Sequence, residues 1–356
     1  MSRLAKIQPN KVRVNLEDYV IILMGEKKTG KSTLFRDLVN LHYKGVMSKG
    51  ILMQFESGAN ALDGLYAPEV MDWEDWEEYV DDFIDNKDEI PYRLICIDTI
   101  DEFVRMAVDR TLYLSKKKNG KTVDSVLEAF GGYNRGKDKV LSLMRTSINK
   151  LKKNGFGLVF IGHTKLKRKN TGNLLTPEQE YMQLCCSLTD DYASIFENMA
   201  DIIAYLVVDK TINNANEDVK KRTAKSSVKI HFRSNGEIDC GGRLTELPMS
   251  VDYSAENFLN AFEQGVKSSM LKPYSETEIQ QLKEEQKQEV DDKVKELNRE
   301  LTNEELFNLF RDNFNDLGDV VKQQIQQIIV SHNIGLEQLA DSRDALMEIY
   351  TKFLKK

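Results

Sequence analysis

The chain has 356 residues, 41% of them hydrophobic, with 50 Lys and Arg against 57 Asp and Glu and a net charge of −7. That length exceeds one ordinary domain and leads to the expectation of one large and one small domain. No apolar run approaches the roughly 18 residues that span a bilayer, and residues 1–6 lack a secretory apolar core, so a soluble, cytoplasmic protein without a membrane partner is expected.

The first marked element is the apolar run 19–24, read as a strand. It leads directly into Gly25-Glu26-Lys27-Lys28-Thr29-Gly30-Lys31-Ser32, a G-x-x-x-x-G-K-S pattern, and then into Thr33 and the helical run L-F-R-D-L-V. Strand, glycine-bounded turn and helix start in that order form the context of a phosphate-binding loop. The glycines let successive N–H groups curl around an anion, and the helix adds its positive dipole end. Lys31 is then placed to reach the β- and γ-phosphates and Ser32 to hold Mg²⁺, so the sequence implies ATP with Mg²⁺, with residues 25–33 as its cradle.

Residues 50–55 read as a second strand ending on Glu56. Residues 72–89 are acidic and helical, with Trp73, Trp76, Tyr79, Val80 and Phe83 at three- and four-residue spacing that marks a core-facing stripe. A short apolar strand, 93–98, ends on Asp98 and is followed by a helix that the lysine-rich segment 115–121 is expected to interrupt as a loop. A basic helix, 137–153, stops at Asn154-Gly155, and strand 157–162 ends at His163. Residues 165–200 look less regular; 200–208 and 227–233 read as strands and 236–248 as a hairpin. The cysteines, Cys96, Cys185, Cys186 and Cys240, lack C-x-x-C spacing, which favours reduced, mostly structural thiols over a zinc or disulfide framework.

Apolar strands alternating with helices imply an α/β core with a mainly parallel sheet covered on both faces, and an antiparallel edge at its end. From residue 254 the pattern turns helical, with Ser254 and Ser275 as N-caps and Thr302-x-x-Glu305 as a capping box. The expected organisation is a core over 1–250, an exposed helical linker over 251–300 and a small acidic helical domain over 301–356. Charge is uneven: residues 1–250 hold 37 bases and 36 acids, 251–356 hold 13 and 21, and 101–170 hold 17 and 6. The basic region suits nucleic acid and the acidic tail suits a protein partner.

The carboxylates narrow the chemistry. Asp98, at its strand end, suits the metal-side carboxylate that holds Mg²⁺ through water. A hydrolase also needs a base for the attacking water, and both Glu56 and Glu102 are candidates. Glu56 is preferred, because it ends a neighbouring strand at the carboxyl edge where open α/β sheets bind ligands.

The runs G-I-L-M-Q-F-E-S-G-A-N-A-L-D (50–63), L-I-C-I-D-T-I-D-E (94–102), G-Y-N-R-G-K (132–137) and G-L-V-F-I-G-H-T-K (157–165) resemble those of the bacteriophage RecA-core P-loop ATPases. These are the phage nucleotide-binding proteins that include the Sak-four type of single-strand annealing protein; the likeness covers roughly residues 15–250. It implies a RecA-like core with Glu56 as catalytic glutamate and His163 as a polar sensor of the γ-phosphate. It also implies that the loop after His163 contacts single-stranded DNA, through Lys165, Lys167, Arg168 and Lys169, with Lys116, Lys117 and Lys118 secondary. Tyr181 is read as a packing residue, with stacking on a base as the alternative. Because such proteins assemble, a homo-oligomer is implied, with Lys229 and Arg233, which alternate along one strand, as candidate fingers acting on the neighbour's ATP, and Arg243 a weaker one. The implied function is ATP-dependent DNA binding in phage recombination, annealing or replication, inside the host cell. Two alternatives stand beside it: a nucleotide-gated adaptor or helicase-loader-like module that grips a protein through its tail, and a P-loop phosphotransferase with a small substrate.

Overall fold

A computed structural model describes residues 9–120, 122–170, 180–213, 223–298, 302–314 and 317–354; residues 1–6 and Lys121, which entered the expectations above, lie outside them. Among the described residues, the strands β1 (Val20–Gly25), β2 (Gly50–Gln54), β3 (Leu94–Asp98), β4 (Gly157–Gly162) and β7 (Ile202–Asn213) run parallel in the order β7-β1-β4-β3-β2. Antiparallel β8 (Thr223–His231) and β10 (Ser250–Asp252) extend the sheet beyond β7, and the short β9 (Gly241–Gly242) pairs with β7, making eight strands. This is the expected mainly parallel α/β sheet with an antiparallel edge.

Every residue of β1 and β4 is buried, as strands covered on both faces require. Side-chain alternation sends Ile22 and Met24 of β1 into one core with helices α2 (Trp73–Asp85), α3 (Ile100–Asn119), α4 (Arg135–Lys153) and α5 (Asp190–Met199). Ile21 and Leu23 enter the opposite core with α1 (Lys31–His42) and α6 (Ala255–Ser268). The tryptophan-rich stripe of α2 is core: Trp73, Trp76, Val80 and Phe83 are buried, and Trp76 and Phe103 meet edge to face at 5.7 Å.

Four segments depart from the expectations. Residues 115–119 continue α3 and do not form a loop; lysines suit a helix C-terminus, and Gly120 closes it at φ 69°. Within 165–200 lie a second sheet, β5 (Thr164–Asn170) paired antiparallel with β6 (Glu180–Cys186), and α5. Residues 236–248 are not a hairpin, because Ile238 bridges to Leu184 while Gly241 and Gly242 pair with β7. The expected linker is largely part of the first compact unit, 1–291. Phe258 and Phe262 of α6 are buried, Phe262 edge-on to Tyr19 at 5.1 Å. In α7 (Glu276–Asn298) the buried Gln286 amide donates to the Val12 carbonyl at 2.7 Å and accepts from the Val14 N–H at 2.9 Å.

The second unit, 292–356, carries its own core of Leu306, Phe310, Ile325, Ile328, Leu346 and Ile349 from α8 (Asn303–Asn313), α9 (Asp319–Ser331) and α10 (Arg343–Ile349). Its capping box is present: the Glu305 N–H donates to Thr302 Oγ1 while the Glu305 carboxylate accepts from the Thr302 N–H. Among the described residues, no helix is long and apolar enough to cross a membrane.

Candidate active site

The loop between β1 and α1 is shaped by its glycines. A Cβ on Gly25 would meet Thr29 Oγ1 at 2.7 Å and the Leu206 carbonyl at 2.8 Å, and Gly30 sits at φ 92°, in the left-handed region. Thr29 is buried and donates to the Glu26 carbonyl at 2.9 Å, closing the loop on itself; Glu26, Lys27 and Lys28 face solvent, and Thr33 lies in the first turn of α1. Lys31 is buried, and its Nζ donates to the Gly25 and Glu26 carbonyls at 3.0 and 2.8 Å. Burial pushes the Lys31 pKa down against the opposing pull of Asp98, Asp101 and Glu56.

Ser32 donates its hydroxyl to Asp98 Oδ2 at 2.5 Å. β4 lies between β1 and β3, so this bond spans from the loop, over the tip of β4, to the carboxylate two strands away. Burial raises the Asp98 pKa, while the Ser32 bond and the Lys31 charge oppose it; a divalent cation would reverse that balance. A hydroxyl and a partly buried carboxylate side by side are the donor set that fits Mg²⁺ bound mainly by phosphates and water.

Glu56 is fixed through its backbone. The Phe55 and Glu56 N–H groups donate to the Asp98 carbonyl at 2.7 and 3.1 Å, so the two carboxylate-bearing segments are tied to each other through the backbone. Its side chain is exposed, 3.5 Å from His163 Nε2 and 3.8 Å from Lys27 Nζ. Among the described residues, neither of the buried His163 ring nitrogens has a hydrogen-bond partner, which suits the side chain to a phosphate oxygen or a bound water. Glu102 is placed differently: it lies on α3 and pairs with Arg105.

Lys31, Ser32, Asp98, Glu56 and His163 thus converge at one edge of the sheet, and the DNA and finger candidates do not join them. On β5, Lys165 and Arg168 are exposed and Lys169 partly so, with Arg168 3.3 Å from Glu180. Lys167 is tied down, donating to the Leu188 carbonyl at 2.8 Å and to Asp190 at 2.7 Å. Tyr181 stands opposite Lys169 and is exposed, so it is not the packed residue expected. Lys229 pairs with Asp209 at 3.3 Å, and Arg233 is exposed past the end of β8, on the side away from the carboxyl edge. Arg243 is held by Asp201 at 2.9 Å within its own chain.

Three residues at the site escape sequence reasoning. The Asp101 carboxylate accepts the His163 N–H at 3.1 Å and the Ser187 hydroxyl, joining the start of β5 to the end of β6. The buried Gln54 side chain accepts from the Gly58 and Ala59 N–H groups at 3.2 and 2.9 Å and so braces the turn after Glu56. Tyr253 donates its hydroxyl to the Gly30 carbonyl at 2.8 Å. Only Asp101, three residues after Asp98, had a local signal in the sequence.

The AAA domain family matches residues 17–232, more than half of the chain. The SPbeta prophage-derived uncharacterized protein YorG of Bacillus subtilis (strain 168) is 26% identical over 266 residues, covering 73% of this chain and 70% of that protein.

Proposed function

The chain belongs to the AAA-domain family of P-loop ATPases, and from that premise we propose that it hydrolyses ATP as a RecA-like, Mg²⁺-dependent engine, acting as a homo-oligomer on single-stranded DNA in phage recombination, single-strand annealing or replication. The observation that carries the hydrolase part is the convergence of Glu56 and His163 on the Ser32–Asp98 pair. Ser32 and Asp98 would hold Mg²⁺, which neutralises charge on the β- and γ-phosphates. Lys31 releases its two loop carbonyls to meet phosphate oxygens. Glu56 orients and deprotonates the attacking water, and the His163 imidazole reports on the γ-phosphate. Lys229 or Arg233 of one protomer would complete the neighbour's site.

The DNA part is supported by the exposed Lys165 and Arg168 and the partly exposed Lys169 on a ribbon that begins at Thr164, the residue after His163. The adaptor reading has support of its own in the separate core of the acidic second unit. ATP turnover with and without single-stranded DNA tests both. Wild type is expected to turn over ATP faster with DNA, and Lys31→Ala to lose turnover by about 100-fold or more. Wild-type turnover by Lys31→Ala would overturn the phosphate-loop reading. Turnover indifferent to DNA, together with no DNA binding, would leave the adaptor.

A further inference from the structure

We propose that Tyr253, outside the span that matches the family, is a positioning residue for nucleotide binding: it clamps the Gly30–Lys31 peptide of the phosphate loop. The inference rests on the phosphate-loop reading of residues 25–33.

The Gly30 carbonyl accepts two hydrogen bonds, one from the Leu34 N–H at 2.8 Å and one from the Tyr253 hydroxyl at 2.8 Å. The first begins α1 and would form in any such helix. The second reaches across 223 positions of sequence. The tyrosine ring lies directly against Gly30, where an added Cβ would meet Oη at 2.7 Å and Cζ at 3.0 Å. Gly30 therefore has two reasons to be glycine, its φ of 92° and this close approach.

A trans peptide is planar, so its carbonyl and its N–H point in opposite directions. Holding the Gly30 carbonyl toward Tyr253 therefore fixes the Lys31 N–H toward the other side, where the loop receives an anion. Tyr253 can serve as a fixed point because it is itself held. Its N–H donates to the Val228 carbonyl at 3.2 Å, extending the β8–β10 pairing. The next residue, Ser254, caps α6 by accepting the Asn257 N–H at 3.0 Å, and the Asn257 side chain donates to the Asp252 carbonyl at 3.0 Å. Helix α6 in turn shares its core with Leu34, Phe35 and Leu38 of α1. The hydroxyl keeps its proton, since burial and Asp37 raise its pKa against a smaller effect of Arg36. It thus remains a donor at neutral pH.

The clamp adds to phosphate binding and not to the chemical step, so the two kinetic parameters separate. Tyr253→Phe removes the hydroxyl alone. It is expected to raise KM and the Kd for Mg-ATP about threefold to tenfold, the worth of one hydrogen bond, with kcat within twofold of wild type. The unfolding midpoint without nucleotide is expected to stay close to wild type, while the midpoint shift induced by ATP shrinks. Tyr253→Ala, measured at a temperature where it is folded, is expected to bind at least as weakly as Tyr253→Phe. Wild-type Kd in Tyr253→Phe, or a lowered unliganded midpoint with unchanged Kd in both variants, would overturn the clamp. Lys31→Ala in the same series separates the two claims: nucleotide binding that survives Lys31→Ala would mean that the phosphate-loop reading has failed, not the clamp.

Discussion

Glu17 lies 3.6 Å from the His42 imidazole and accepts the Tyr43 hydroxyl at 2.7 Å. Burial alone would raise its pKa, but the hydrogen bond and charge of His42, with the Tyr43 bond, outweigh burial and hold it at about 2. Its folded pKa therefore lies below the unfolded value of about 4.3, so the stability it contributes is complete above that value and is lost as pH falls toward 2. The amount is on the order of 3 kcal/mol across that window. Urea midpoints at pH 5 and pH 2.5 check this: wild type is expected to lose more stability between them than Glu17→Gln, and equal losses would contradict it. At the carboxyl edge of the sheet, the places of Lys31, Ser32 and Asp98 are legible because a local pattern carries them, and those of Glu56 and His163 because each ends or follows an apolar strand. Those of Tyr253 and Gln54 are not, because what places them is a tertiary hydrogen bond or a turn contact, and neither leaves a periodic trace.

At the scale of elements, the β5–β6 ribbon divides its basic residues by what each touches. Lys167 is spent on Asp190 and the Leu188 carbonyl, Arg168 shares an exposed ion pair with Glu180 at 3.3 Å that an anion can compete for, and Lys165 is exposed and Lys169 partly exposed. Replacing Lys165, Arg168 and Lys169 with Ala is expected to reduce the slope of log affinity for single-stranded DNA against log salt by about 2. Lys167→Ala is expected to leave the slope unchanged and to speed amide exchange in the ribbon. A slope unaffected by the triple change would remove the ribbon from the DNA account. The ribbon was hard to read in sequence because T-K-L-K-R-K-N has no apolar face to betray its period of two. The end of α3 departs from the expected loop for a different reason. Its lysines and Gly120 have the composition of a turn, but lysine is a good helix former and the helix dipole favours it at that end.

At the scale of the whole molecule, the parallel sheet was legible because strands buried on both faces are apolar throughout, as in V-I-I-L-M and L-I-C-I. The boundary near residue 250 was not, because α6 has the amphipathic look of any surface helix and only its partners show that it completes the core. Two truncations follow from this. A chain ending at residue 298 keeps α6 and the Gln286 contacts and is expected to bind ATP like the full protein. A chain ending at residue 250 loses Tyr253 together with buried Phe258 and Phe262, and is expected to lose nucleotide binding and most of its stability, at about 3–5 kcal/mol per buried phenylalanine. Equal ATP binding by the two, followed by fluorescence titration, would contradict this placement of the core boundary.

Hydrolysis of ATP at this edge of the sheet with Glu56 as the base is put to the test by comparing Glu56→Gln and Glu102→Gln in a single-turnover assay. Glu56→Gln is expected to bind ATP with wild-type affinity and to hydrolyse it at least 100-fold more slowly. Glu102→Gln, whose side chain pairs with Arg105, is expected to hydrolyse it at the wild-type rate. Normal hydrolysis by Glu56→Gln, with loss in Glu102→Gln, would contradict the account.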